Sequence, residues 1–355
     1  MKVYVCLVLI TLVSCILNYS AMSYDSRLVF TERFAKHLIF LSVGWLFFLF
    51  FKKKKNLKVY EFSTLLYFLT ILLLVLLFFF GKRIGGAVRW FRMGIFSFQP
   101  SELSKLSLIL FLSFWYHRYL SEYSLFTKYK ILKEFFLPLF FTSIFSILVF
   151  FQPDLGTSLE LLLFFFLIYL LLPFKKYPLI FLIVFFVILL PYIFSHLKPY
   201  QQNRILVFIN PQIDPLGAGF STMQAKIAIG SGGLVGKGFL KGSQSQLNFL
   251  PERHTDFVFS VWCEEWGFIG ANFLFFLYFY LFYLILKEFQ NSLTNFKRMI
   301  CLGALIHFSL HFFINIFMCL GLLPVVGLPL PFLSYGGSHT LINFILLGLV
   351  FNKYL

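Results

Sequence analysis

The stretch "VYEFSTLLYFLTILLLVLLFFF", residues 59–80, carries one charged side chain, Glu61, and is long enough to cross the roughly 30 Å hydrocarbon core of a bilayer as a helix. The chain around it is 60% hydrophobic and only 12% charged. Similar apolar runs recur at 3–19, 35–51, 101–120, 135–152, 155–173, 178–195, 257–286, 298–320 and 336–354. With 59–80 they predict ten transmembrane helices, an all-α polytopic membrane protein whose termini share one side. Residues 1–355 read as one membrane domain, with 196–256 a long extracytoplasmic loop between helices 7 and 8.

Lys and Arg near span ends are retained in the cytoplasm, so their bias orients the bundle. Lys2, Lys52 to Lys55, Lys58, Arg118, Lys128, Lys130, Lys133, Lys175, Lys176, Lys287, Lys297, Arg298 and Lys353 fall on the side of the termini. The opposite short loops hold fewer: Arg27, Arg33, Lys36, Lys82, Arg83, Arg89 and Arg92. The termini are therefore expected in the cytoplasm, and segments 81–100, 152–156, 196–256 and 321–337 outside. The net charge of +16 is scattered over span ends. That pattern suits anionic lipid head groups and excludes a nucleic-acid stripe with interleaved aromatics. Cys6, Cys15, Cys263, Cys301 and Cys319 lie in apolar spans without CxxC spacing, so neither a disulfide framework nor a zinc site is expected. The 54 Phe residues read as filling for lipid-facing positions.

Polar residues that are not filler gather on the outer side. In the long loop Gly217, Gly219, Gly230, Gly232, Gly233, Gly236, Gly238 and Gly242 would let backbone approach a ligand, while Arg204, Lys226, Lys237, Lys241 and Arg253 suit a diphosphate. An ordinary solvated loop accounts for the same composition, and no GxxxxGK[ST] phosphate loop is present. Glu102 and Lys105, three residues apart, are helix neighbours; they make either an intramembrane charge pair or a helix-start carboxylate with a snorkelling lysine. Glu160, Glu264 and Glu265 are carboxylates near or within spans to which the sequence gives no role. In "LNFLPERHTDFVFSVWCEEWGFIG", residues 247–270, Asp256 stands either as the N-cap of the following span or as a base at the membrane edge. Capping leaves Glu252, Arg253 and His254 beside it unexplained.

Six motifs in order, "FQPSELSKL" (98–106), "FQPDLGTS" (151–158), "DPLGAGF" (214–220), "AIGSGGLVGKG" (228–238), "SQLNFLPERHTDFVFSV" (245–261) and "GLLPVVGLPLPFLSYGGS" (321–338), carry a resemblance. The sequence resembles the shape, elongation, division and sporulation (SEDS) family, RodA/FtsW peptidoglycan glycosyltransferases, over nearly its whole length, and looks closer to the RodA branch. Three departures are the loose "GGAVRWFRMG" (85–94), Ala225 after Gln224, and His339 after "SYGGS".

The resemblance implies a ten-helix enzyme of the bacterial cytoplasmic membrane that polymerises lipid II, a disaccharide-pentapeptide on undecaprenyl diphosphate, for cell elongation. It makes Asp256 the catalytic base. Arg89, Lys237, Arg253, His254, Gln224 and Ser231 become substrate-binding candidates; Glu102, Lys105, Gln99, Asp154, Glu252 and Ser334 shape the cavity. It implies a class B penicillin-binding protein as partner and admits a divalent cation, Mg2+ or Mn2+. A lipid II flippase and a non-catalytic scaffold of the wall-synthesis complex are the alternatives.

Overall fold

The computed structural model describes residues 1–23, 31–55, 57–84, 87–93, 96–121, 130–196, 202, 206–208, 210, 213, 214 and 218–355. Arg27, Lys128, Arg204 and Gly217, given roles by the sequence, lie outside the described residues. Each of the ten apolar segments coincides with a helix: α1 (Lys2–Met22), α2 (Glu32–Lys53), α3 (Val59–Phe80), α4 (Pro100–Ser121), α5 (Leu137–Phe151), α6 (Leu155–Leu171) and α7 (Tyr177–His196). Beyond the long loop come α10 (Val258–Asn291), α11 (Asn295–Cys319) and α12 (Gly337–Val350). Helix is the form in which such runs satisfy their backbone N–H and C=O groups without water. Among the described residues six helices are long and apolar enough to cross a membrane, and α6 and α12 are shorter apolar helices. The chain is an all-α, multi-pass membrane protein.

Two segments expected as loops are structured. Residues 81–100 form an antiparallel sheet of β1 (Lys82–Ile84), β2 (Ala87–Met93) and β3 (Phe96–Phe98), pairing Ile84 with Ala87 and Met93 with Phe96. Too short to register against the hydropathy of the spans, it delivers the chain to Gln99 at the foot of α4. The long loop holds α8 (Ala218–Ser231) and the short α9 (Ser243–Gln246).

The chain divides into two compact units. The first comprises Met1–Ile39, Leu182–Leu281 and His311–Gly336; the second Phe40–Phe181, Phe282–Leu310 and Gly337–Leu355. In the second unit α5 is entered through a π-helical turn, Leu132–Phe136. Pro138 has no N–H to return to Glu134 C=O. That carbonyl accepts Tyr116 Oη–H instead at 3.1 Å, and Lys133 C=O accepts the Trp115 indole N–H at 2.9 Å. Phe serves two purposes here, correcting its reading as lipid-facing filler. Phe79 and Phe80 are exposed, whereas Phe48, Phe145, Phe165 and Phe308 are fully buried.

In the first unit the glycine-rich segment has a structural task. Helix α10 is broken at Gly267, whose φ of 61° and ψ of −159° lie in a region essentially reserved for glycine. Segment 233–238 takes two carbonyls and two N–H groups at the break. Lys237 and Gly238 N–H donate to Glu264 and Glu265 C=O, both at 3.0 Å. Phe268 and Ile269 N–H donate to Gly233 and Leu234 C=O at 2.9 and 3.1 Å. A Cβ on Gly267 would sit 2.7 Å from Leu234 O, and one on Gly236 would overlap Glu265 C=O. These glycines let backbone approach a broken helix rather than a ligand. Gly267→Ala is therefore expected to cost at least about 2 kcal/mol. Gly230→Ala in α8, where a Cβ meets nothing within 4 Å, should be neutral or slightly stabilising. Thermal unfolding of the two variants side by side checks this; equal midpoints would mean that the break is not held by the inserted segment.

Candidate functional site

Asp256 lies on a tight turn ahead of α10. Glu252 adopts φ of 48°, and its carbonyl accepts the N–H groups of Thr255, Asp256 and Phe257 at 3.1, 3.1 and 3.3 Å. Glu252 Oε2 also accepts Thr255 Oγ1–H at 3.1 Å. Helix α10 starts at Val258, which puts Phe257 at the position before its first residue and Asp256 one residue further out. Three successive carbonyls of the turn are then taken from outside it. His254 C=O accepts Tyr335 N–H at 2.8 Å, Thr255 C=O accepts Ser334 Oγ–H at 2.6 Å, and Asp256 C=O accepts Asn315 Nδ2–H at 2.9 Å. The backbone that presents the carboxylate is thus fixed at each residue.

The strap that does the fixing is itself held by α1. Phe332 adopts φ of 64°; its carbonyl accepts Ser14 Oγ–H at 2.7 Å, and Leu333 C=O accepts Asn18 Nδ2–H at 2.6 Å. His37 Nε2 meets Ser14 Oγ at 2.9 Å. The strap passes the carboxylate at Gly327, where an added Cβ would lie 3.4 Å from Asp256 Oδ2. Ser334, which the resemblance puts among the cavity residues, here donates to the turn at Thr255 C=O. Asn315 was missed, although an asparagine inside "FFINIF" is the kind of intramembrane polar residue that calls for a partner.

Beside the turn opens a cavity of about 470 Å³ whose polar lining includes Arg33, Glu252, Arg253 and His254. Burial lowers the His254 pKa below its usual value; Glu252 opposes this, and Arg33 and Arg253 add to it. The imidazole is consequently neutral at neutral pH, available as donor or acceptor but not as a cation. Three of the candidate substrate-binding cations, Arg253, Lys237 and Arg89, are anchored to other groups. Arg253 donates to Ala21 C=O at 2.6 Å, to Ser23 C=O at 3.2 Å and to Asn248 Oδ1, stapling the turn to the end of α1. Lys237 Nζ pairs with buried Glu264 Oε1 at 2.7 Å and donates to Ser243 Oγ at 2.8 Å. In the second unit Arg89 donates to Gln152 C=O at 3.2 Å and to Pro153 C=O, 4.0 Å from Asp154 Oδ1. Asp154 caps α6, accepting Thr157 Oγ1–H at 3.0 Å. Glu264 also gathers Ser243 Oγ–H and the Gln244 and Ser245 N–H groups, which gives it the role that the sequence left blank. Glu265 accepts Ser20 Oγ–H from α1. Gln224 is half-buried on α8, where Ser231 Oγ–H returns to Ala228 C=O at 3.0 Å.

The Glu102–Lys105 pair exists, at 2.9 Å, as part of a larger buried circuit in the second unit. Lys105 Nζ also meets Glu160 Oε2 at 3.2 Å. The other oxygens of the two carboxylates face histidines, Glu102 Oε2 to His339 Nδ1 at 2.9 Å and Glu160 Oε1 to His307 Nδ1 at 3.5 Å. Asn343 joins the two rings, 3.0 Å from His339 Nε2 and 3.0 Å from His307 Nε2. His339, a departure from the family pattern, closes the circuit. Gln99 N–H donates to Ser338 Oγ at 3.0 Å, bringing the start of α4 beside the start of α12.

In this multi-pass helical membrane protein the candidate functional site is therefore a carboxylate on a turn held by three outside donors, beside an open cavity. The chain belongs to the FtsW, RodA and SpoVE family of cell cycle proteins, matched over residues 1–353. It is 41% identical to the peptidoglycan glycosyltransferase MrdB of Escherichia coli K12 over 298 residues, 82% of this chain and 78% of the relative. Among solved structures it is similar to a chain of a peptidoglycan synthase complex that coordinates polymerization and crosslinking. There the TM-score is 0.79 and the identity 30%, over 97% of this chain and 95% of the other. The rod shape determining protein RodA of Thermus thermophilus gives a TM-score of 0.70 at 27% identity, over 98% and 94% of the two chains.

Proposed function

We propose that the chain is a peptidoglycan glycosyltransferase that polymerises lipid II for cell elongation, with Asp256 as its general base. The observation that carries this reading is the Asp256 turn, whose backbone is held by Tyr335, Ser334 and Asn315 while its carboxylate stands over Gly327. Fixing the backbone confines the carboxylate to few positions, as proton transfer from a bound hydroxyl requires. Asp256 takes the proton of the acceptor's GlcNAc 4-hydroxyl as that oxygen attacks the anomeric carbon of the donor. The glycosidic bond forms with inversion, the bond to the lipid diphosphate breaks, and the diphosphate leaves with the electron pair. Neutral His254, on the wall of the adjoining cavity, is suited to orienting sugar hydroxyls rather than to holding an anion.

In this reading the ten helices all cross the cytoplasmic membrane, both termini are cytoplasmic, and the long segment with Asp256 is outside. The transpeptidase partner is a class B penicillin-binding protein, a reading supported by the similarity to the synthase complex. A divalent cation held as Mg2+ commonly is, by one or two carboxylates and the substrate's phosphates, would take Asp256 and Glu252 as its ligands at the turn. No step is assigned to one.

The test is polymerisation of fluorescent lipid II by the purified chain with its transpeptidase partner, resolved as a ladder of glycan lengths. A ladder is the expected result. Movement of the labelled lipid across a vesicle bilayer without a ladder would replace the enzyme by a transporter.

A further inference from the structure

With Lys237, Arg253 and Arg89 committed, the question is which cation in the first unit remains for a phosphate. Lys226 on α8 forms no hydrogen bond or ion pair with another described residue. It lines a second cavity, of about 170 Å³, with Ser221 and Thr222, walled by Phe208, Leu323 and Val325. At that size the cavity falls below the roughly 300–1,000 Å³ of sites that enclose whole ligands and suits a head group. One ammonium, two hydroxyls and an apolar wall match a phosphate on a hydrocarbon chain.

The ammonium is placed, not loose. Helix α11 ends at Cys319; Gly321, two residues on, has φ of 67°, and Leu322 N–H returns to Phe317 C=O at 2.7 Å. A Cβ on Gly321 would overlap the Lys226 stem and come within 3.0 Å of Thr222 Cγ2. Lys226 therefore lies across the C-terminal end of α11, where a dipole worth about half a negative charge favours a cation. Half a charge holds the ammonium there and leaves it able to bind an anion. The strap beginning at Gly321 reaches Asp256 at Gly327, six residues on, so these two glycines are no more than about 22 Å apart.

We infer that the Lys226 cavity is the site for a lipid-borne diphosphate, the charged group of the substrate, with Ser221 and Thr222 donating to its oxygens. The inference rests on the proposed function for the identity of the lipid, but its test requires no turnover. The full-length chain in phosphatidylcholine nanodiscs is titrated with undecaprenyl diphosphate, beside Lys226→Met, Lys226→Arg and Lys237→Met. Losing a charge-assisted contact should weaken binding by Lys226→Met about ten- to a hundredfold at an unchanged melting temperature. Lys226→Arg should stay within about threefold of wild type. Lys237→Met should lower the melting temperature and leave the affinity of the folded fraction alone. Unchanged affinity in Lys226→Met overturns the site, as does equal loss of binding and stability, which would make Lys226 only a helix-end cation. In a further arm phosphatidylglycerol competes at equal mole fraction; if it displaces the diphosphate as well as unlabelled diphosphate does, the diphosphate assignment is overturned. Should the chain bind the diphosphate through Lys226 yet build no glycan, the site stands and the polymerase reading falls. A ladder with unchanged binding in Lys226→Met sinks the site alone.

Discussion

Asp256→Asn is expected to lower the rate of lipid II polymerisation by about 10²–10⁴, the usual contribution of a positioned general base, while the protein folds and binds lipid II as before. The backbone explains the second half of this expectation. Asp256 N–H serves Glu252 C=O, and its own C=O serves Asn315; both survive the substitution. Helix α10 begins at Val258, two residues on from the carboxylate. An amide of the same shape still fits over Gly327 but cannot accept the hydroxyl proton at neutral pH. Initial rates of ladder formation, read beside melting temperature and lipid II affinity, check it. A variant that polymerised within about threefold of wild type would end the assignment of Asp256 as base. Asn315→Ala offers a contrast: the carboxylate remains but Asp256 C=O loses its donor, so the rate should fall less and the melting temperature more.

The helices were legible in the sequence because the bilayer imposes one length and one polarity on every span. Their observed ends lie close to the apolar runs, as with 59–80 and α3 (Val59–Phe80). What hydropathy cannot show is where a span gives way internally. The break at Gly267 lies inside the predicted span 257–286, and its cause is a segment some thirty residues earlier whose glycines read equally well as a phosphate cradle. Asp256 and the Glu102–Lys105 pair were legible as candidates because charged groups stand out against an apolar background, and Ser334 through the family resemblance. Their partners were not, since Glu160, His307, His339 and Asn343 meet across as many as 237 residues of sequence separation. The charged groups of the outer segment misled for the same reason. Composition shows Lys237 and Arg253 as cations near a membrane edge but not Glu264 or the Ala21 and Ser23 carbonyls that occupy them. Lys226 looked like one more basic residue, and its place against Gly321 in a cavity with Ser221 and Thr222 sets it apart.

Lys105→Met should be among the most damaging single changes away from the turn, costing about 3–5 kcal/mol, because it leaves buried charge uncompensated. Lys105 stands between Glu102 at 2.9 Å and Glu160 at 3.2 Å, and all three side chains are less than a tenth exposed. Without the ammonium two buried carboxylates face each other, with His339 and His307 beside their outer oxygens. Glu102→Gln alone should cost less, since Lys105 keeps Glu160 and the amide can still accept from His339. Combining Lys105→Met with Glu102→Gln should cost less than the sum of the two, because the second change removes one of the charges that the first exposed. The double variant should still fall short of wild type, for Glu160 keeps its charge. Adding Glu160→Gln should recover stability further, the reverse of what a third core substitution ordinarily does. The rank order of melting temperatures across the five proteins in one detergent decides the matter. Strict additivity would mean that Glu102 and Lys105 act as separate interfacial residues. A triple variant less stable than the double would mean that Glu160 depends on its histidine and not on Lys105.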